Sequence, residues 1–432
     1  MKKPRRMSEA LLPRSPLEFA HPLHVRGPGA EGAAILAELP PADAAAVLRL
    51  LRLVLAFSRG PEGAAVLRRD ALERWEAHFH ARPGHPLWGP AITILAQLGA
   101  GEGADAAMIA QSCVAVADWL LEAGAWQSAL LFAEAAALAY PQNARMAWMA
   151  GRMLRNYGRM REAELWLRRA YRVAAWTRDV ETQDLALNSL GNLFAQQGCF
   201  KKALAILKRA LKLAQRLTKE RRGCISHDLL LVYIGMGEYG RAERIATEAI
   251  KLYGMEHKNL PKLAHDIALL WMRQQKFLLA LPVLVALLPS LTLGHEQLRV
   301  LASIACAAGA AGDRDRFDTA WAGAWELVSQ SGAETRYFLP EVLADLGSGA
   351  AALNERAKAL IALARSFVVA CELERHDVTT RTEAILEKIM RNEYLVERAG
   401  PSSPAAVALS DTFVRVLVAL SGTTVVIGGG AT

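Results

Sequence analysis

The chain has 432 residues and a formal charge of +8, with 53% apolar residues dominated by Ala and Leu. Ala and Leu lose little rotamer freedom in a helix, so the composition predicts an all-α protein of two or three domains or one extended repeat array. The five cysteines (Cys113, Cys199, Cys224, Cys306, Cys371) are odd in number and lack CxxC spacing, which argues against a secreted disulfide framework or a zinc site and suits free thiols in a reducing cytoplasm.

Residues 1–29, rich in Pro, Gly, Arg and His, read as a loose basic arm. Met1-Lys2-Lys3-Pro4-Arg5-Arg6 has the charge of a signal-peptide start, but Ser15, Pro16, Glu18 and His21 interrupt the place where an apolar region would follow. No apolar run reaches the about 18 residues of a membrane span, and Phe413–Leu420 contains Arg415. The expectation is a soluble cytoplasmic protein with no membrane span.

Residues 30–103 read as a helical region. One helix is predicted from Ala42 to Ser58, a second from Glu62 to about His80, and a third around Ala91–Leu98 after the break at Pro83-Gly84-His85-Pro86. These helices are either capping units of the array that follows or a small separate domain.

Residues 104–365 carry a repeated helix-pair pattern. Gly151, Gly158, Ala163 and Ala170 are matched by Gly191, Gly198, Ala203 and Ala210, and the third copy keeps Gly237, Ala242 and Ala249. The turn glycines step from Gly124 to Gly158, Gly198 and Gly237, then Gln275 and Gly312 hold the place, at spacings of 34 to 40 residues. Small residues let two helices approach closely, and a glycine ending the first helix can take the left-handed conformation of a tight turn. A single pair cannot bury its apolar face, so neighbours must stack. Two positions depart from the pattern. Pro282 falls inside a second helix and should kink it. The helix around Ala305, Ala308, Gly309, Ala310 and Ala311 has few bulky side chains, so either another element packs closely on it or it is weak.

An amphipathic helix from about Thr380 to Arg398 belongs to C-terminal capping helices over 366–399, with Ile385, Ile389 and Leu395 inward. Residues 400–432 read as a linker, Pro401-Ser402-Ser403-Pro404, and an apolar, β-prone, flexible tail that a groove or a partner could also take up.

These glycines, alanines and seam aromatics (Trp126, Phe200, Tyr239, Phe277) resemble tetratricopeptide repeats, strongest from Gly124 to Ala249. The period near 40 resembles the long-helix variety of bacterial regulatory proteins. The resemblance implies a right-handed superhelix of antiparallel helix pairs, a solenoid whose first helices line a concave groove. Carried onto this chain, the family's groove positions fall on Arg145, Trp148, Arg152, Arg155 and Asn156, then Asn188, Asn192 and Gln196, then His227, Leu231 and Ile234, then His265, Leu269, Met272 and Arg273. Asn side chains can pair with a peptide's backbone whatever its sequence, and arginines can hold an acidic side chain or a free C-terminal carboxylate. The other reading of these arginines is a solvated helix face.

His227-Asp228 and His265-Asp266 recur at one place in adjacent repeats; repeat ancestry is preferred over a metal or acid–base site, and no metal is expected there or at His78, His80 and His85. Between Arg145 and Arg222 there are 18 Lys+Arg and 6 Asp+Glu. Within that stretch Lys201, Lys208, Lys212, Arg216 and Lys219 recur at helical spacing along a second helix and its extension, as a convex basic face. Nucleophile elbows, P-loops, dinucleotide glycine patterns and HExxH are absent, so no enzyme and no cofactor is expected. The leading reading is a non-catalytic scaffold that binds a peptide or extended partner segment, with a regulatory role open. The alternative is a helical-repeat protein that binds nucleic acid through the basic face.

Overall fold

A computed structural model describes residues 30–59, 84–291, 294–330, 335–391, 393 and 402–421. The expectations for the arm, for the helix from Glu62 to His80, for His78 and His80, and for the chain after Ser421 lie outside the described residues. The chain divides into two compact units, one up to Leu190 and one from Gly191. Every regular element among the described residues is helical.

In the first unit, α1 (Ala30–Glu38), α2 (Pro41–Ser58) and α3 (Trp88–Gly99) precede the pairs α4 (Ala106–Glu122) with α5 (Trp126–Ala139) and α6 (Ala144–Asn156) with α7 (Met160–Thr177). α1 and α2 pack on α5, and the Glu38 carboxylate accepts from Gln127 N and Ser128 N at 2.9 and 2.8 Å. A carboxylate there satisfies amides that the first turn of α5 cannot bond internally. A Cβ on Gly151 would lie 2.7 Å from Leu167 Cγ, so this glycine sets the closeness of α6 to α7.

α8 (Val180–Gln196) runs across the boundary between the units. In the second unit follow α9 (Phe200–Ala214), α10 (Lys219–Gly235), α11 (Tyr239–Tyr253), α12 (Leu260–Arg273), α13 (Phe277–Leu287), α14 (Gly294–Ala311), α15 (Arg314–Ser329), α16 (Leu339–Ala352), α17 (Arg356–Glu372), α18 (His376–Met390) and α19 (Pro404–Ser421). Each even-numbered helix from α10 to α16 pairs with the odd-numbered one after it. The first helices α10, α12, α14, α16 and α18 also touch one another in order, forming an inner layer.

The turn glycines Gly124, Gly158, Gly198, Gly237 and Gly312 all have φ between 71° and 79°. Where the pattern lacks glycine the turn keeps its geometry: Gln275 has φ 61° and Asn354 φ 62°. The small-residue helix, α14, is not weak. A Cβ on Gly309 would collide with the Gly349 carbonyl, and one on Gly349 with the Ala305 carbonyl, so α14 and α16 meet backbone to backbone.

Three expectations are corrected in detail. α9 ends at Ala214, so Arg216 lies in the following turn and Lys219 opens α10 instead of extending one helical face. The amphipathic helix of the C-terminal region stops at Met390. The β-prone tail is helical from Pro404 to Ser421. α19 lays Ser410, Phe413 and Leu417 on α13, with Ser410 Oγ donating to Leu279 O at 2.9 Å, so helical spacing and a packing partner override β propensity. α19 is long and apolar enough to cross a membrane by length and composition alone. Pro282 sits on the exposed side of α13, which runs through it to Leu287 and then tightens into a 3₁₀ turn at Leu288–Ser290.

Two glycine substitutions should separate turn strain from helix contact. Gly237→Ala has open space for its Cβ and should cost about 1–2 kcal/mol through its left-handed φ alone. Gly309→Ala must force two backbones apart, and thermal unfolding is expected to show a loss of about 3 kcal/mol or more.

Candidate functional site

The inner layer of the second unit is cross-linked by side chains that bond one repeat to the next. Asn192 on α8 donates Nδ2–H to Asp228 on α10 at 3.0 Å. His227 Nε2 meets Asp266 Oδ2 on α12 at 2.7 Å. His265 Nδ1 lies 3.3 Å from Asp266 Oδ1, and its Nε2 lies 3.3 Å from Ser303 Oγ on α14. His227 thus reaches past its neighbour Asp228 to the Asp of the next repeat, while His265 also meets its own neighbour Asp266.

Electrostatics fix the protonation. Burial disfavours the Asp266 charge, but hydrogen bonds and charge from His227 and His265 outweigh it and hold the carboxyl well below the usual carboxylate range. An ionised Asp266 only accepts, so His227 Nε2 and His265 Nδ1 donate to it, and His265 Nε2 faces the Ser303 hydroxyl. Burial likewise opposes the His227 cation, but the bond to Asp266, with the charges of Asp266 and Asp228, raises its pKa above the ordinary 6.5. Among the described residues no three His, Cys, Asp or Glu side chains converge to hold a metal.

Toward the end of the inner layer lies a cavity of about 180 Å³. Leu269, Met272, Phe277 and Ile385 form its apolar wall, and Arg273, Asp345 and Arg381 its charged one. Arg381 Nη2 bonds Asp345 Oδ1 at 2.6 Å. The start of α18 is pinned by buried Arg375, which bonds Glu341, Asp377 and the Tyr337 carbonyl and so places Arg381 one to two turns on. Arg273 is accessible to the cavity and makes no hydrogen bond or ion pair among the described residues. Repulsion from Arg381, then burial, lowers its pKa, against a smaller pull from Asp345. Cys306, at the cavity floor, has its thiol pushed up to about 12, chiefly by burial, and brings no charge.

The remaining expected groove residues divide by unit. Leu231, 38% exposed, stands one turn beyond His227, as cavity-lining Leu269 stands one turn beyond His265. In the first unit, Trp148 donates Nε1–H to Ser189 at 2.9 Å, and the guanidinium carbons of Arg145 and Arg152 lie 5.6 and 4.9 Å from its ring centroid. Arg145 also pairs with Glu181 at 3.5 Å, and Arg155 donates to Asn156. Asn188 Oδ1 is buried and has no hydrogen-bond partner. Lys201, Lys208, Lys212, Arg216 and Lys219 are exposed, with no ion-pair partner among the described residues. Sequence reading missed Arg381, Asp345 and Ser348 as lining residues, since nothing local ties α16 and α18 to Arg273.

Stacked helix pairs with a side-chain-bonded layer of first helices define an α-helical repeat protein. Within it, residues 182–254 match the family model described as Tetratricopeptide repeat. No curated protein matches the chain. Solved structures similar to it include Pseudomonas aeruginosa pilF (19% identity, 54% of this chain and 97% of that one, TM-score 0.36). A Rap protein complexed with Competence and Sporulation Factor is also similar (10% identity, 81% and 97%, TM-score 0.35), as is a circular tandem repeat protein (13% identity, 89% and 87%, TM-score 0.17). Repeats of this family are in general non-catalytic scaffolds for protein–protein interaction.

The His227–Asp266 pair sets a pH signature. A raised His227 pKa adds stability that is full below 6.5 and fades as pH rises through the folded value, while depressed Asp266 adds stability above 3.8 that fades as pH falls. His227→Gln should therefore cost about 3 kcal/mol at pH 5.5 and clearly less at pH 9, read from melting curves at both.

Proposed function

We propose that the protein is an interaction scaffold that holds an extended segment of a protein partner along the first helices of its repeats. The observation that carries this reading is the cavity of about 180 Å³ in that layer, where an apolar wall stands beside charge that the chain itself does not neutralise. A folded core fills such space; a recognition surface leaves it for a ligand. Asn192 and the histidines serve to align the helices, so contact with a partner falls to the more accessible side chains beside them. Leu231 and Leu269 supply apolar contact at matching places in adjacent repeats.

A photo-crosslinking residue at Leu231 should capture a partner through one short segment of its chain, and the same residue at Lys212 should not. Capture at Lys212 alone would sink the proposal.

A second reading rests on the five exposed, unpaired cations around α9. If nucleic acid binds there, Lys208→Glu with Lys212→Glu should remove salt-dependent RNA retention and leave capture at Leu231 unchanged.

A further inference from the structure

The exposed face of one second helix departs from its counterparts. Counted from the buried residue of the first turn (Ala203, Ala242, Phe317 or Ala359), Val368 on α17 stands where α9, α11 and α15 carry Lys212, Lys251 and Glu326. Ile361 stands in the place of Arg244 on α11 and Thr319 on α15, and Ala364 in the place of Lys208 on α9. Ile361 and Val368 are 59% and 55% exposed, and Ala357, Leu360, Ala364 and Cys371 are exposed beside them. These six recur at three- and four-residue steps, so they form one apolar stripe along the whole of α17, whose buried sides pack on α16 and α18. Single exposed apolar side chains are ordinary on a protein surface; a stripe running the length of a helix is the seam of a helix pair.

We propose that this stripe pairs with the same stripe of a second copy of the chain, the two α17 helices running antiparallel and crossing at Ala364. The stripe reads alike from either end. Small Ala357 and Cys371 are equidistant from Ala364, as are the larger Leu360 and Val368. A two-fold interface uses one patch twice, so it requires a patch that matches itself on reversal. Alanine at the crossing lets the two backbones come close. Charge sets the direction: Arg356 stands at the start of the stripe and Glu372 at its end. An antiparallel copy brings unlike charges and opposed helix dipoles together at both ends, whereas a parallel copy sets like on like. Arg365 flanks the crossing, where its long side chain can reach solvent. One helix pair is smaller than the about 1,600 Å² of a standard stable interface, so the dimer is weak and forms with rising concentration.

Sedimentation equilibrium of the full chain is expected to show a monomer–dimer equilibrium. Ile361→Glu should weaken it roughly tenfold or more, with the helical circular dichroism unchanged because the side chain already faces solvent. Position and direction are read by cysteine crosslinking in a chain carrying Cys199→Ser and Cys371→Ser, which removes the two exposed thiols. On mild oxidation Ala364→Cys should give a disulfide-linked dimer, since a residue at the crossing lies beside its own copy. Thr247→Cys, at the matching place on α11, should stay monomeric, and so should Ala357→Cys, which faces the other end of the second helix. A chain that remains monomeric and uncrosslinked at Ala364→Cys overturns the proposal and leaves the stripe to a helix of another protein. A dimer untouched by Ile361→Glu overturns it as well, and so does crosslinking of Ala357→Cys to itself, which a parallel pair would give.

Discussion

Helix backbones in this protein approach one another at positions where a single methyl group would not fit. Gly191 faces Leu207, where an added Cβ would lie 2.5 Å from Leu207 Cγ, and Gly151 faces Leu167 in the same way. Between α14 and α16 the approach is complete, with Gly309 and Gly349 setting carbonyls against Cα atoms. Neighbouring first helices also bond directly through side chains, as His227 and Asp266 do between α10 and α12 at 2.7 Å.

That cross-bonding explains why so many polar side chains can sit in the inner layer. Asp266 and His265 are buried, and unpaired they would oppose folding by several kcal/mol. Paired, they fix the register of one repeat on the next. The charged residues at Arg273, Asp345 and Arg381 follow a different rule: the cations outnumber the carboxylates, and the excess faces a cavity. The inner layer thus joins a stretch of mutually bonded polar groups to one whose charged groups line a cavity.

Much of the architecture was legible in the sequence because it rests on local constraints. The turn glycines announce positive φ, and even Gln275 could be placed by its spacing, since the stacked helices impose φ 61° on it. The tail was not legible. Its Val and Phe content signals strand, while Phe413 and Leu417, one turn apart, form a helical stripe whose partner, α13, lies far back in the chain. The site was half legible. Family register named Leu269 and Arg273, but Arg381 and Asp345 come from α18 and α16, and only the stacking of later repeats brings them opposite. The reach of His227 past its sequence neighbour Asp228 was hidden for the same reason.

The central claim is that a partner segment lies along the first helices of the second unit. A crystal structure of the protein with its captured partner segment tests it most directly. The account expects apolar side chains of the segment against Leu231 and Leu269. A segment seated on the exposed lysines of α9 instead would contradict it.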